Sequence, residues 1–306
     1  MTQFDYVTLD VFTKERFRGN PLAVIADARG LDGETMQAIA REFNYSEITF
    51  VLPPSNPENT AEVRIFTPTM ELPFAGHPNV GTAFALARAG HVFGQPVGDE
   101  LRFEEKAGLV EVTVERNADG LATGASIQAP QMLTVADGLA PETLGPMIGL
   151  APAKIATGNH APLFLSVALP FLVAELPDLQ TLAAAQPDTG LFSAAESGLN
   201  PIDGRLSVFL YVRSSEHPLA LRARMFAPLD NISEDPATGS ASAALAAYLA
   251  ARMPSAPETV ALTIDQGVEM GRASKIHLRV AMSGGKPTSV RVIGDCVEVM
   301  RGVLTV

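Results

Sequence analysis

"EVRIFTPTMELPFAGHPNVGTAFALA", residues 62 to 87, and "RARMFAPLDNISEDPATGSASAALAAYLA", residues 222 to 250, follow one plan. Each runs from a strand into Phe-x-Pro, through a polar loop and an x-Pro step, to Gly-[Thr/Ser]-Ala opening an alanine-rich helix. Phe66 answers Phe226, Pro68 answers Pro228, and Gly81-Thr82-Ala83 answers Gly239-Ser240-Ala241. Weaker matches keep the same order: "GNPLAV" (19 to 24) with "GNHAPLFL" (158 to 165), and "FEEKAGLVEV" (103 to 112) with "IDQGVEMG" (264 to 271). A period near half the chain length indicates a duplicated domain rather than a solenoid. The loose Ala, Pro, Gln and Thr stretch at 129 to 136 is the natural boundary, which divides the chain into domains 1–129 and 130–306. The last strand, Val297 to Val303, is left open as one that crosses back to the first domain.

Strand-like segments (Val7 to Phe12, Leu22 to Ile25, Ile48 to Leu52, Glu62 to Phe66, Leu109 to Val114) interleave with helix-like ones at Glu34 to Phe43 and Thr82 to Arg88. Strands outnumber helices, and one alanine-rich helix per half follows the quoted loops. That pattern predicts an α+β fold in which each helix lies against or inside a curved sheet.

With 306 residues, 47% of them hydrophobic, the chain is long enough to bury a sizeable core. Its formal charge of −12 repels phosphate backbones and anionic lipid, which argues against nucleic acid and membrane surfaces as partners. Cys296 is the single cysteine, so no disulfide framework or thiolate metal cluster can form, and its apolar surroundings suit a small buried side chain. The first residues carry acids and no apolar signal, and the longest apolar run is broken by Pro170; a cytoplasmic protein is expected.

Proline is favoured at the first position of a helix, so His77-Pro78 and Asp235-Pro236 read as a cap followed by a first helical residue. The small residues that follow leave the unpaired N–H groups of the first turn accessible, which makes each helix start an anion site. A carboxylate can therefore be held locally in spite of the negative net charge. Duplication would bring two such starts to one cleft. There Gly76 and Gly239 allow close backbone approach, Ser240 adds a hydroxyl donor, and His77 and Asp235 flank one ligand as titratable groups. Read singly, each is equally a cap, a packing residue or a structural hydrogen-bonder.

In "REFNYSEITFVLP" (41 to 53), a helix gives way to a strand. Alternation sets Ser46, Ile48 and Phe50 on one face and Tyr45, Glu47 and Thr49 on the other. Glu47 is then either a solvated strand residue or, if it lines the cleft, a partly desolvated proton-transfer group. Phosphate-loop, dinucleotide and hydrolase-elbow motifs are missing, as are zinc motifs, so the sequence points to chemistry without metal or organic cofactor.

The phrases "GNPLAV", "NYSEITFV", "FTPTMELPFAGHPNVGTA", "EDPATGSASAALAAYL" and "DQGVEMGRASKIHLRV" closely resemble the phenazine biosynthesis PhzF-like family over nearly the whole chain. The resemblance implies the diaminopimelate epimerase-like fold: two pseudo-symmetric domains, each a barrel-like sheet around a central helix, with the site in the cleft between them. It also implies a cofactor-independent isomerase, usually a homodimer, acting on a small carboxylate-bearing metabolite. By the same carry-over, Glu47 is the acid/base, His77 and Asp235 position and polarise an amino or hydroxyl group, and Gly76, Gly239 and Ser240 hold the carboxylate. Related amino-acid epimerases use a pair of cysteines, which this chain lacks. Asn79 stands where the family often has Thr, and Ala273 where it often has Pro. The alternative class is a non-catalytic small-carboxylate binding protein, for which the helix starts and Ser240 would suffice.

Overall fold

The computed structural model describes residues 1–199 and 204–306, which separate into two compact units, 1–128 together with 293–306, and 129–292. The first unit contains β1 (Gln3–Val11), β2 (Asn20–Ile25), α1 (Gly33–Phe43), β3 (Glu47–Leu52), β4 (Ala61–Phe66), β5 (Glu71–Leu72), α2 (Gly76–Ala89), the small hairpin β6 (His91–Val92) and β7 (Gln95–Pro96), β8 (Glu100–Glu105), β9 (Gly108–Arg116) and β10 (Ala122–Gln128). The second contains β11 (Thr134–Asp137), α3 (Pro141–Met147), β12 (Leu163–Ser166), β13 (Pro170–Glu175), α4 (Leu179–Ala184), α5 (Thr189–Ser197), β14 (Val208–Arg213), β15 (Ala220–Ala227), β16 (Ile232–Asp235), α6 (Gly239–Ala251), β17 (Thr259–Gln266) and β18 (Ser274–Ser283). The long strand β19 (Lys286–Thr305) belongs to the first unit from Ile293 onward.

In the first unit β1 pairs with β2, β2 runs parallel to β3, β3 antiparallel to β4, β4 parallel to β8, and β8 and β9 continue antiparallel to β10. The circle closes because β19 pairs with both β10 and β1. In the second unit β11, β12 and β13 pair antiparallel in turn, β13 runs parallel to β14, β14 antiparallel to β15, β15 parallel to β17, and β17 antiparallel to β18. The sequence of parallel and antiparallel pairings is the same in both, down to the short flap strands β5 on β4 and β16 on β15. The fold is thus α+β, a duplicated barrel-like sheet of the diaminopimelate epimerase-like class.

This topology corrects one weak sequence match. "GNPLAV" forms β2, whereas "GNHAPLFL" leads into β12, and it is β13 that occupies the position of β2. Apolar strands of similar composition look alike locally; the parallel partner tells them apart.

Each sheet wraps one helix. α2 packs against β1, β2, β3, β9 and β10, and α6 against β12, β13, β17 and β18. Small side chains allow this close approach. A methyl group at Gly81 would come within 2.5 Å of Leu22 Cδ2 and 2.9 Å of Val11 Cγ2. In α6, Ala241, Ala243, Ala244, Ala246, Ala247 and Ala250 are fully buried, because the helix is enclosed on all sides rather than along one stripe. The remaining helices cover the outer faces. α1 buries Met36 and Ala40 on a cluster with Ile48, Phe50 and Phe66, while Leu144, Leu182 and Phe192 of α3, α4 and α5 join Leu172, Leu210 and Phe226.

In the first unit β10 and β19 approach closely at Gly124. A Cβ on Gly124 would lie 2.0 Å from the Gly294 carbonyl oxygen, a backbone atom that cannot rotate away. We expect Gly124→Ala to destabilise the protein by about 3 kcal/mol or more. Gly98→Ala, with no atom within 4 Å, should change stability by less than about 0.5 kcal/mol. Chemical denaturation of the two variants checks the contrast.

Candidate active site

Three outer helices carry a conventional cap. The carboxylates of Asp32, Asp178 and Asp188 accept from the backbone N–H of Thr35, Thr181 and Leu191 at 2.8, 2.7 and 3.0 Å. The two central helices do not. α2 starts from Ala75 and α6 from Thr238, and neither N-cap side chain accepts a bond from its helix. The first helical residues are Gly76 and Gly239, both expected substrate-binding positions.

These boundaries correct the reading of the two x-Pro steps. His77 is inside α2, with Pro78 the third helical residue, where an N–H has no intrahelical acceptor and proline costs no bond. Asp235 is the last residue of β16, four positions before Gly239, so it does not cap α6. The equivalent helix starts are Gly76 and Gly239, and not the matched triplets at Gly81 and Gly239: Gly81 is already in the second turn.

Glu47 opens β3 immediately after α1, which ends on the left-handed Asn44. Ile48 and Phe50 face the α1 cluster, while Thr49 turns inward and shares a 2.8 Å hydroxyl contact with buried Thr82 of α2. Strand alternation puts Glu47 on the Thr49 face. Its side chain is 14% exposed, with Oε2 3.5 Å from His77 Nδ1. Glu47 is thus mostly buried beside the central helix rather than a solvated strand residue.

His77 is buried, and burial pulls the ring from its ordinary value of 6.5 down to about 3, although the nearby Pro21 carbonyl partly opposes this. The ring is therefore neutral at physiological pH, and its approach to Glu47 is an imidazole beside a carboxyl group, not an ion pair. Nε2 is buried and makes no hydrogen bond among the described residues. Gly76 is half-buried, and a Cβ there would meet only Ile127 Cδ1, at 3.5 Å. No protein contact among the described residues requires its missing side chain.

In the second unit, Asp235 is buried and accepts a 2.5 Å bond from the Thr238 hydroxyl. That hydroxyl is thereby diverted from capping α6. The Thr238 N–H donates to Gln266 Oε1 at 3.0 Å, while Gln266 Nε2 donates to the Asp235 carbonyl at 2.8 Å and to Thr238 Oγ1 at 3.0 Å. Next to it, Gly267 adopts φ +70°, and a Cβ there would lie 2.7 Å from the Pro236 carbonyl oxygen. Glu234 points the other way, into a two-pronged pair with Arg224 at 2.9 and 2.8 Å. Ser240 is half-buried in the first turn of α6. Sequence reasoning missed Thr238 and Gln266. The signal for them was the Gln-Gly step of "DQGVEMG", a polar side chain and a turn glycine ending an apolar strand. Among the described residues, no cluster of three or more His, Cys, Asp or Glu side chains could hold a metal ion, and no helix is long and apolar enough to cross a membrane.

The family model for phenazine biosynthesis-like proteins (PhzC-PhzF) matches residues 9–302. The chain belongs to this family. An isomerase of Mesorhizobium japonicum is 41% identical, with 98% of each chain covered. The trans-2,3-dihydro-3-hydroxyanthranilate isomerase of Pseudomonas aeruginosa is 36% identical, with 95% of each covered. A crystal structure of a Bacillus anthracis PhzF-family protein superposes with a TM-score of 0.86 over 100% of both chains at 23% identity, which supports the fold. As a PhzF-family member with these relatives, the chain is an enzyme of the isomerase class.

Two expectations follow for the site. In a nitrogen-15 NMR titration, the His77 ring should stay neutral from about pH 9 to about pH 5. Because its folded value is depressed, its contribution to stability is full above the ordinary 6.5 and falls away as the pH drops below it. Gln266→Leu should cost about 2 kcal/mol or more on denaturant unfolding, since it strands the Thr238 N–H in the interior and removes a bond from the Asp235 carbonyl.

Proposed function

We propose that this PhzF-family enzyme is a cofactor-independent isomerase that moves a proton between carbons of a small carboxylate-bearing, cyclic or amino-acid-like metabolite, with Glu47 as the proton carrier. The observation that carries the reading is Glu47 Oε2 at 3.5 Å from Nδ1 of a neutral, buried His77. A carboxylate can accept a proton from carbon and return it to another carbon without leaving its strand. The neutral imidazole adds no competing positive charge, and so polarises a substrate amino or hydroxyl group by hydrogen bonding rather than by ion pairing.

In this reading Gly76, Gly239 and Ser240 hold the substrate carboxylate at the two uncapped helix starts, where free N–H groups and the helix dipole favour an anion. Asp235, fixed by Thr238 and Gln266, works with His77 on the polar substituent. Support for assigning both helix starts to one substrate comes from the duplicated topology and from family membership. The relative from Pseudomonas aeruginosa names a ring that carries carboxylate, amino and hydroxyl groups, and the same substrate class suits the donors assigned here. The reading includes a cytoplasmic homodimer, as the family resemblance implies. A purely binding role would leave Glu47 and His77 without a use.

In deuterated water with trans-2,3-dihydro-3-hydroxyanthranilate as first candidate, mass spectrometry should find deuterium on product carbon for the wild type. Glu47→Gln should slow that incorporation by about 10²-fold or more. Incorporation at the wild-type rate in the variant would remove Glu47 from the chemistry.

A further inference from the structure

Two neighbouring glutamates at the end of β8 have opposite surroundings. The Glu104 carboxylate accepts from the N–H groups of Ser55 and Asn56 at 2.7 and 2.8 Å and from Asn59 Nδ2 at 2.8 Å. These donors hold it down at about 2. Both carboxyl oxygens of Glu105 are buried and lack a well-formed hydrogen bond among the described residues. Burial pushes Glu105 up to about 8, against a smaller opposing effect of the Asn79 amide beside it.

Asn79 is fully buried in the opening of α2, and its Nδ2 donates to the carbonyl of the N-cap residue Ala75 at 3.0 Å. That bond orients the amide, and Asn79 Oδ1 is left buried with no hydrogen-bond partner among the described residues. A carboxylate and an amide oxygen are both acceptors and cannot satisfy each other. One proton on Glu105 lets one of its oxygens donate to Asn79 Oδ1 and leaves the other as an uncharged carbonyl acceptor.

The same turn braces the loop ahead of α2 at two further points. The Ala107 N–H donates to the Pro73 carbonyl at 3.0 Å, and Lys106 Nζ lies 2.7 Å from Glu71 Oε2. Glu105 shares the lining of one pocket with the charged Glu62 and Arg64 of β4, Glu71 of β5, and its neighbours Glu104 and Lys106. Arg64 and Lys106 are both engaged by Glu71, and neither acts measurably on Glu105. On the α2 side the neighbour is the uncharged Asn79.

We propose that Glu105 is a positioning residue for the reaction: a carboxylic acid whose O–H donates to Asn79 Oδ1, locking Asn79 onto Ala75 and the first turn of α2. It does so without placing a negative charge beside the helix start that receives the substrate's carboxylate. An ionised glutamate there would offset the helix dipole and repel an anionic substrate. The second half of the inference rests on the site reading given above; the first half does not.

Because the folded value lies above the ordinary one, stability linked to Glu105 is full below about pH 4.5 and is lost as the pH rises through about 8. Glu105→Gln keeps the shape and a donor but cannot ionise. The test is the thermal midpoint of wild type and Glu105→Gln between about pH 5 and about pH 9, together with kcat and KM on trans-2,3-dihydro-3-hydroxyanthranilate. The Gln variant should gain on the wild type as the pH rises. The wild-type KM should climb several-fold across the alkaline half of the range while that of Glu105→Gln stays level. Glu105→Leu should lower kcat/KM throughout, and the Gln variant should restore it. A thermal gap that does not change with pH overturns the proposal whatever the activity, and so does a wild-type KM that stays flat. If the wild type turns over none of this substrate, a gap that still widens with pH supports the neutral acid and assigns the failure to the site reading.

Discussion

The structure depends on how two helices begin. Burying a helix amino end in a sheet sets several N–H groups where water cannot easily serve them, and the usual remedy is a capping side chain. The chain applies that remedy with aspartate at α1, α4 and α5. It withholds it at α2 and α6, where the starts are glycines preceded by Ala75 and by a Thr238 whose hydroxyl is turned onto Asp235. A helix start without a side-chain cap suits an anion, and the proposed reading uses this.

The support differs between the halves although the strand pairing is the same. In the first unit it comes from beneath: Thr49 against Thr82, Asn79 on Ala75, and the β8–β9 turn on the loop before α2. In the second it comes from one amide, Gln266, which links Asp235 and Thr238. The two units share the strand frame, while their polar groups differ. His77 sits in the helix and is neutral; its counterpart Asp235 stands ahead of the helix and accepts a short hydroxyl bond.

With a net charge of −12, any carboxylate bound under the reading proposed above has to be held by local groups. The long-range field is unfavourable, but an oriented set of backbone donors acts at contact distance, where it outweighs a screened surface charge. Near such donors acidic side chains have to be managed individually. Glu71 and Glu104 are held by partners, and Glu105 is placed where ionisation is costly.

Much was legible in the sequence because it is encoded locally. The strands, α1, the alanine-rich helices and the duplication all leave marks within a few positions, through backbone preference, periodicity and small-residue spacing. Other features depend on contacts between distant residues. Which face Glu47 presents is decided by Thr49 meeting Thr82, 33 positions away; the true start of α6 is decided by Gln266, 28 positions from Thr238. That β13, and not β12, stands in the place of β2 follows from its parallel partner alone. The sequence by itself determined which local structures and chemical groups were present. Only the tertiary structure decided which of them meet and which lose their water, because burial and strand partnership are properties of the packed chain and not of any short stretch of it.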